Sequence, residues 1–231
     1  MRIGIIGAMD EEIEILKDKM EIDKVKERAK MKFYEGKLND KDVVLVRCGI
    51  GKVNAAVCTQ ILITYFNVDY IINTGVAGAI HDSLNIGDIV ISTDVVQHDV
   101  DATGFGYELG EIPRLDEYKF KADRRLIDIA KEVAAKELKG HKLYEGRILS
   151  GDVFVASPEK KDKLWEIFKG YCVEMESGAI GQTCYLNNIP FVIFRAISDK
   201  ADGSAHVNFN EFVIESAKNS AEIVQRIISL I

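Results

Sequence analysis

Short, almost wholly apolar runs recur along the chain, at residues 2–8, 69–74, 85–93, 143–149 and 191–197, and each breaks at its carboxyl end into glycine, serine or acidic residues. Runs of this length with abrupt polar ends predict buried strands. Between them the apolar positions change to helical spacing. Ile13, Leu16 and Met20 mark a first helix after Asp10, residues 53–66 a second, and Leu126, Ile129, Ala130 and Val133 give residues 123–138 one apolar side. Ser157 and Pro158 supply an N-cap and a first helical residue, with Trp165 packing that helix. Residues 179–186 and 209–231 predict two further helices, the former closed by a turn at Asn187-Asn188. Residues 33–38 and 43–48 read as a meander pair turning at Asn39-Asp40. Strands alternating with helices define an α/β protein built on a central sheet.

The chemistry gathers at the strand ends. Residues 173–180 (VEMESGAI) pass from an apolar run into two carboxylates and then into small residues suited to a helix start. If the strand continues, its period of two places Glu174 and Glu176 on one face and Met175 on the other. Arg195 lies inside the apolar run 191–197 and needs a carboxylate partner, for which Glu12, Glu174 and Glu176 are the candidates. Asp199, after Ser198, is another acid at a strand end, where open α/β sheets place ligands. Asp10 and Glu11 suit a helix N-terminus. Glu12 either caps that helix too or turns back over the strand end as a base.

Two glycine-rich stretches invite sharper readings. Gly49-Ile50-Gly51-Lys52 lacks the full spacing of a phosphate loop and reads as a tight turn before a helix. Gly75-Val76-Ala77-Gly78, expected just beyond a strand ending at Thr74, permits either close ligand approach or a tight crossing of elements. His98-Asp99-Val100-Asp101 carries hard-metal ligand types without a supporting cluster, so a polar hydrogen-bonded loop is expected and no metal. The loop 102–113, with Phe105, Tyr107 and Ile112 among glycines, has the look of a segment presenting aromatics to a ligand or partner.

Composition narrows the classes. At 231 residues, 47% hydrophobic and with only three prolines, the chain predicts one domain over residues 1–231 with no linker. A net charge of −7 with dispersed Lys and Arg argues against nucleic acid as a partner. The four cysteines lack metal spacing and suit reduced thiols in a cytoplasmic protein. An acidic helix beginning at Asp10 argues against a signal peptide, and no apolar run is long enough to span a bilayer.

In order, Gly7-Ala8-Met9-Asp10-Glu11-Glu12, Cys48-Gly49-Ile50-Gly51-Lys52, residues 73–78 (NTGVAG), Ser150-Gly151-Asp152, Val173-Glu174-Met175-Glu176, residues 195–199 (RAISD) and residues 98–108 (HDVDATGFGYE) resemble the bacterial 5'-methylthioadenosine/S-adenosylhomocysteine nucleosidases from end to end. The resemblance implies a single-domain, three-layer α/β/α nucleoside-phosphorylase-like fold with a mixed central sheet, acting as a homodimer without cofactor. It implies hydrolysis of the N-glycosidic bond of an adenine nucleoside, releasing adenine and a 5-thioribose. On matching positions, Glu12 is the base that activates water and Asp199, helped by Ser198, the acid that protonates adenine. Glu176 binds the ribose hydroxyls, Met175 lies against the sugar, Val155 reads the adenine edge through its backbone, and Phe154 stacks on the base. Met9, Ile50, Val76, Gly78 and Phe209 complete the lining, with Glu174 and Arg195 in support. Ala102, Phe105, Tyr107 and Pro113 reach the 5'-thio pocket of the neighbouring subunit.

The chain departs from the family at Val76, where a Ser or Thr hydroxyl is usual, and at Ala102, usually Val. The same residues also suit an aminodeoxyfutalosine-type nucleosidase. A phosphorylase of the same fold would use phosphate where this chain places Glu12, and an adenosine-binding module without catalysis would not require both acids.

Overall fold

The computed structural model describes residues 1–138 and 140–231. Ten strands and six helices follow in the order β1 (Arg2–Gly7), α1 (Asp10–Asp18), β2 (Glu21–Arg28), β3 (Met31–Leu38), β4 (Lys41–Arg47), α2 (Lys52–Thr64), β5 (Tyr70–Ala79), β6 (Ile89–Gln97), β7 (Phe120–Lys121), α3 (Arg124–Glu137), β8 (Leu143–Ser150), α4 (Pro158–Phe168), β9 (Cys172–Glu174), α5 (Ser177–Asn187), β10 (Phe191–Asp199) and α6 (Ala205–Ile228).

All ten strands form one mixed sheet. At one end β1 lies parallel between β4 and β5, and the antiparallel β3 and β2 extend the edge. At the other end the sheet curls back on itself: β5 pairs with β10, β10 with β6, β6 with β8, β8 with β9, and β9 with β5 again. A five-strand ring thus continues into an open sheet, a closure the apolar pattern did not disclose.

Alternation along the strands divides the core. Ile6, Val44, Val46, Ile71 and Ile193 face Ala55, Cys58 and Leu62 of α2 and Ile180 and Cys184 of α5. Their neighbours Ile3, Ile5, Val43, Leu45 and Ile72 face α1, α3 and α6. The result is helix, sheet, helix, each sheet face hidden beneath apolar helix faces. Leu164 and Phe168 of α4 cover a smaller cluster around Leu149 and Val173, against which Trp165 packs.

Several elements differ from the sequence expectation for physical reasons. β2, whose side chains are almost all exposed, has no buried face to impose a hydrophobic alternation. The strand expected to end at Thr74 runs on through Gly75–Gly78 to Ala79, because both neighbouring strands keep hydrogen-bonding it. α6 begins at Ala205, four residues before the expected start at Phe209. β9 stops at Glu174, and Glu176 is the N-cap of α5, so the two glutamates do not share a strand face.

Candidate active site

Gly75 and Gly78 explain how charged groups enter an apolar sheet. In the parallel register of β5 and β10, Arg195 lies beside Gly75, and Asp199, after a bulge, beside Gly78. A Cβ on Gly75 would overlap Arg195 Nη1 and Glu12 Oε1 and lie 2.8 Å from Glu12 Cδ; one on Gly78 would lie 2.7 Å from Asp199 Oδ1. The missing side chains are therefore the space in which the site is built. Gly75→Ala is expected to lower stability by about 1–3 kcal/mol, the usual range for overpacking, and to depress activity. Urea unfolding and turnover measured side by side check both.

Glu12 serves as helix cap and site carboxylate at once. It is the third residue of α1 and reaches back, its Oε2 accepting from the N–H of Ala8 at 2.6 Å and of Met9 at 3.1 Å. Its Oε1 accepts from the Val76 N–H at 3.0 Å. The cap and a carboxylate turned back over the strand end, alternatives in the sequence, thus coincide: three N–H donors fix the carboxylate beyond the end of β1 and beside Val76 of β5. Burial pushes its carboxyl above the ordinary range, while the charge of Arg195 and the three donors pull it down. The backbone of Val76 keeps a site role although its side chain has no hydroxyl.

Arg195 is wholly buried. Its Nη2 donates to Asn73 Oδ1 at 2.6 Å and forms an ion pair with Glu174, with Glu176 Oε2 at 3.7 Å. Glu174 is saturated: besides Arg195 it accepts from the Ser150 hydroxyl and from the N–H groups of Glu176 and Ser177. Burial opposes its charge, but Arg195 and these donors hold its carboxyl below the ordinary range. Asn73 and Ser150, which sequence reasoning placed only within motifs, are thus the struts of the ion pair. Their signal was an amide and a hydroxyl within strands otherwise destined for the core.

Glu176 has a different environment. Its Oε1 accepts from the Gly51 N–H at 2.9 Å, and that bond and the distant Arg195 contact offset its burial only in part. Burial, followed by repulsion from Glu174, pushes its carboxyl up to about 8. Asp199 closes the opposite side. Its Oδ1 accepts from the Ala201 N–H at 2.8 Å and its Oδ2 from the Ser198 hydroxyl at 2.9 Å, while burial raises its carboxyl above the ordinary range.

These acids border a cleft of about 110 Å³. Met9, Glu12, Ile50, Val76, Gly78, Phe154, Glu174, Met175, Glu176, Ser198, Asp199 and Phe209 all line it. Val155 lines the adjoining recess with Gly78, Phe154 and Asp199. Phe154 packs against His206 at 4.8 Å and edge-on to Phe209 at 5.9 Å between ring centroids. Residues from α1, the turn before α2, β5, β9, β10 and α6 therefore meet in one place. Ala102, Phe105, Tyr107 and Pro113 do not line this cleft; Phe105 stands 88% exposed. Elsewhere, His98 is buried beneath Gly151, and Asp99 pairs with Lys52 at 2.6 Å. Among the described residues no helix is long and apolar enough to cross a membrane.

Known proteins resemble this chain over nearly its whole length. A family model described as "Phosphorylase superfamily" matches residues 2–229. The 5'-methylthioadenosine/S-adenosylhomocysteine nucleosidase of Staphylococcus haemolyticus is 48% identical over 230 residues, covering 99% of this chain and 100% of the relative. The crystal structure of the enzyme of that name from Neisseria meningitidis, in complex with methylthio-immucillin-A, is similar with a TM-score of 0.96 at 44% identity, covering 100% of this chain and 99% of that one. The futalosine hydrolase of Helicobacter pylori is similar with a TM-score of 0.95 at 34% identity, covering 100% of this chain and 98% of that one.

Proposed function

The chain belongs to the phosphorylase superfamily and, within it, to the 5'-methylthioadenosine/S-adenosylhomocysteine nucleosidases, and from that membership we infer that it hydrolyses the N-glycosidic bond of these adenine nucleosides. The observation that carries the reading is the pairing of two buried acids across one cleft. Glu12 is held by N–H donors that leave it an acceptor, and burial raises the carboxyl of Asp199 above the ordinary aspartate range, the direction that favours a proton donor. Water attacks the anomeric carbon, Glu12 takes its proton, and the glycosidic electron pair leaves with adenine as Asp199 delivers a proton to N7. The cation-like sugar between them is stabilised by the carboxylates of the cleft.

Phe154 and the recess at Val155 hold the base, Met175 lies against the sugar, and Glu176 accepts from the ribose hydroxyls. The whole chain acts as one catalytic domain, cytoplasmic and homodimeric, in methionine salvage and recycling of the methyl cycle. Val53 and Val57 leave an apolar face of α2 exposed beside the cleft, as a dimer surface requires. The loop bearing Ala102, Phe105, Tyr107 and Pro113 would complete the partner's 5'-thio pocket.

A phosphate-dependent reaction is disfavoured by the lining itself, since an ionised Glu12 in the nucleophile's place repels the anion. Incubating the purified protein with 5'-methylthioadenosine, with and without phosphate, is expected to give adenine and free methylthioribose in both buffers. Methylthioribose-1-phosphate formed only with phosphate would refute hydrolysis. Aminodeoxyfutalosine belongs in the same assay, given the futalosine hydrolase likeness.

A further inference from the structure

The turn before α2 presents two adjacent N–H groups to two different acids. The Gly51 N–H points at Glu176 Oε1, whereas the Lys52 N–H donates to Asp152 Oδ1 at 2.8 Å. Asp152 is itself anchored: its N–H donates to Asp99 Oδ2 at 2.9 Å, and the other oxygen of Asp99 holds Lys52 Nζ at 2.6 Å. Gly51 has a φ of 98°, a left-handed backbone that glycine alone adopts without strain, and a Cβ there would sit 3.2 Å from Asp152 Oδ1. Three segments thus close on one small triangle of charges: the turn before α2, the segment leading to Phe154 and Val155, and the start of the 98–113 loop.

We propose that Asp152 is a positioning residue, its carboxylate fixing the turn at Gly51 so that the Gly51 N–H meets Glu176 and the site binds the ribose hydroxyls in one orientation. This rests on the reading of Glu176 as the hydroxyl acceptor. Asp152 does not line the cleft; it acts through the peptide between Gly51 and Lys52, and as a carboxylate at the start of α2 it also complements that helix's dipole.

The electrostatics give the arrangement a second signature. Facing Glu176 are Glu174 from β9, Glu12 from α1, Arg195 from β10 and the thiol of Cys48 beyond β4, with the Gly51 N–H as its short-range donor. Removing that donor destabilises the carboxylate further, so the ionised form appears only at higher pH.

The test is steady-state kinetics of the full-length protein with 5'-methylthioadenosine, together with hydrogen exchange of the Gly51 amide, in wild type, Asp152→Ala and Asp152→Asn. Asp152→Ala is expected to raise KM about five- to tenfold, the scale of one lost cap, with kcat changed less than about twofold. The ascending limb of kcat/KM moves to higher pH, and Gly51 exchanges faster. Asp152→Asn keeps an acceptor oxygen for the Lys52 N–H and stays within about twofold of wild type in KM. Unchanged KM and Gly51 exchange in Asp152→Ala, or an asparagine variant as impaired as the alanine one, would overturn the proposal. Should Asp152→Ala not fold, Asp99→Ala loosens Asp152 from its other side and is expected to move KM and Gly51 exchange in the same direction; no movement overturns the proposal. If wild type turns over no adenine nucleoside, the functional reading fails, and Gly51 exchange alone still decides whether Asp152 fixes the turn.

Discussion

Replacing Glu12 by glutamine is expected to lower turnover by about 10²–10⁴-fold, the usual contribution of a placed base, with a smaller change in affinity for adenine. The structure also predicts a stability cost. Glu12 accepts from three backbone N–H groups through two oxygens. Glutamine offers one oxygen, so its amide must turn N–H against N–H on one side, stranding a buried donor at a cost of about 1–3 kcal/mol. Arg195 loses a neighbouring negative charge as well. Single-turnover kinetics together with adenine binding separate these effects: near-normal turnover in a folded variant would remove Glu12 as the base.

Asp199→Asn is expected to cost about 10²–10⁴-fold in rate by a different route. The fold is preserved, because the asparagine oxygen still accepts from Ala201 and the Ser198 hydroxyl turns to accept from the amide. Only the transferable proton is lost. The pH profile distinguishes the two acids. With its carboxyl raised, Asp199 keeps a proton above the ordinary aspartate range, and wild-type activity falls as pH rises through that raised value. The asparagine variant lacks this descending limb. Stability follows the same sign: the folded state holds the Asp199 proton more tightly than the unfolded chain does. That contribution is full below the ordinary aspartate value and declines as pH rises through the raised one. Asp199→Asn flattens the slope, which unfolding at several pH values measures.

Much of the site was legible because buried charge is costly. Arg195 in an apolar run demanded carboxylates, and all three acids proposed for it, Glu12, Glu174 and Glu176, are found around it. Glu174 and Glu176 nevertheless differ in a way that spacing could not reveal. One is saturated by Arg195 and several donors, whereas the other, turned away at the head of α5, relies on Gly51. The continuation of β5 through its glycines was hidden because glycine carries no strand preference. Only the register with β10 shows that Gly75 and Gly78 face Arg195 and Asp199. β2 left no trace because an edge strand in water needs no apolar face. Phe105, which the resemblance assigns to a neighbouring subunit's pocket, stands exposed on the surface of this chain and has no part in its core.

The closure of β5 against β10 has a bearing on biosynthesis. Strand β10 is the last of the sheet to leave the ribosome, yet it inserts between β5 and β6, and it carries both Arg195 and Asp199. Until it emerges, Glu12, Glu174 and Glu176 lack the cation that makes their burial tolerable, and the five-strand ring has a gap where its central member belongs. A nascent chain stalled before β10 is therefore a poor folder and an inactive one. Its β5 and β6 edges stay unpaired until β10 arrives, and the cleft is complete only once α6, carrying Phe209, has followed.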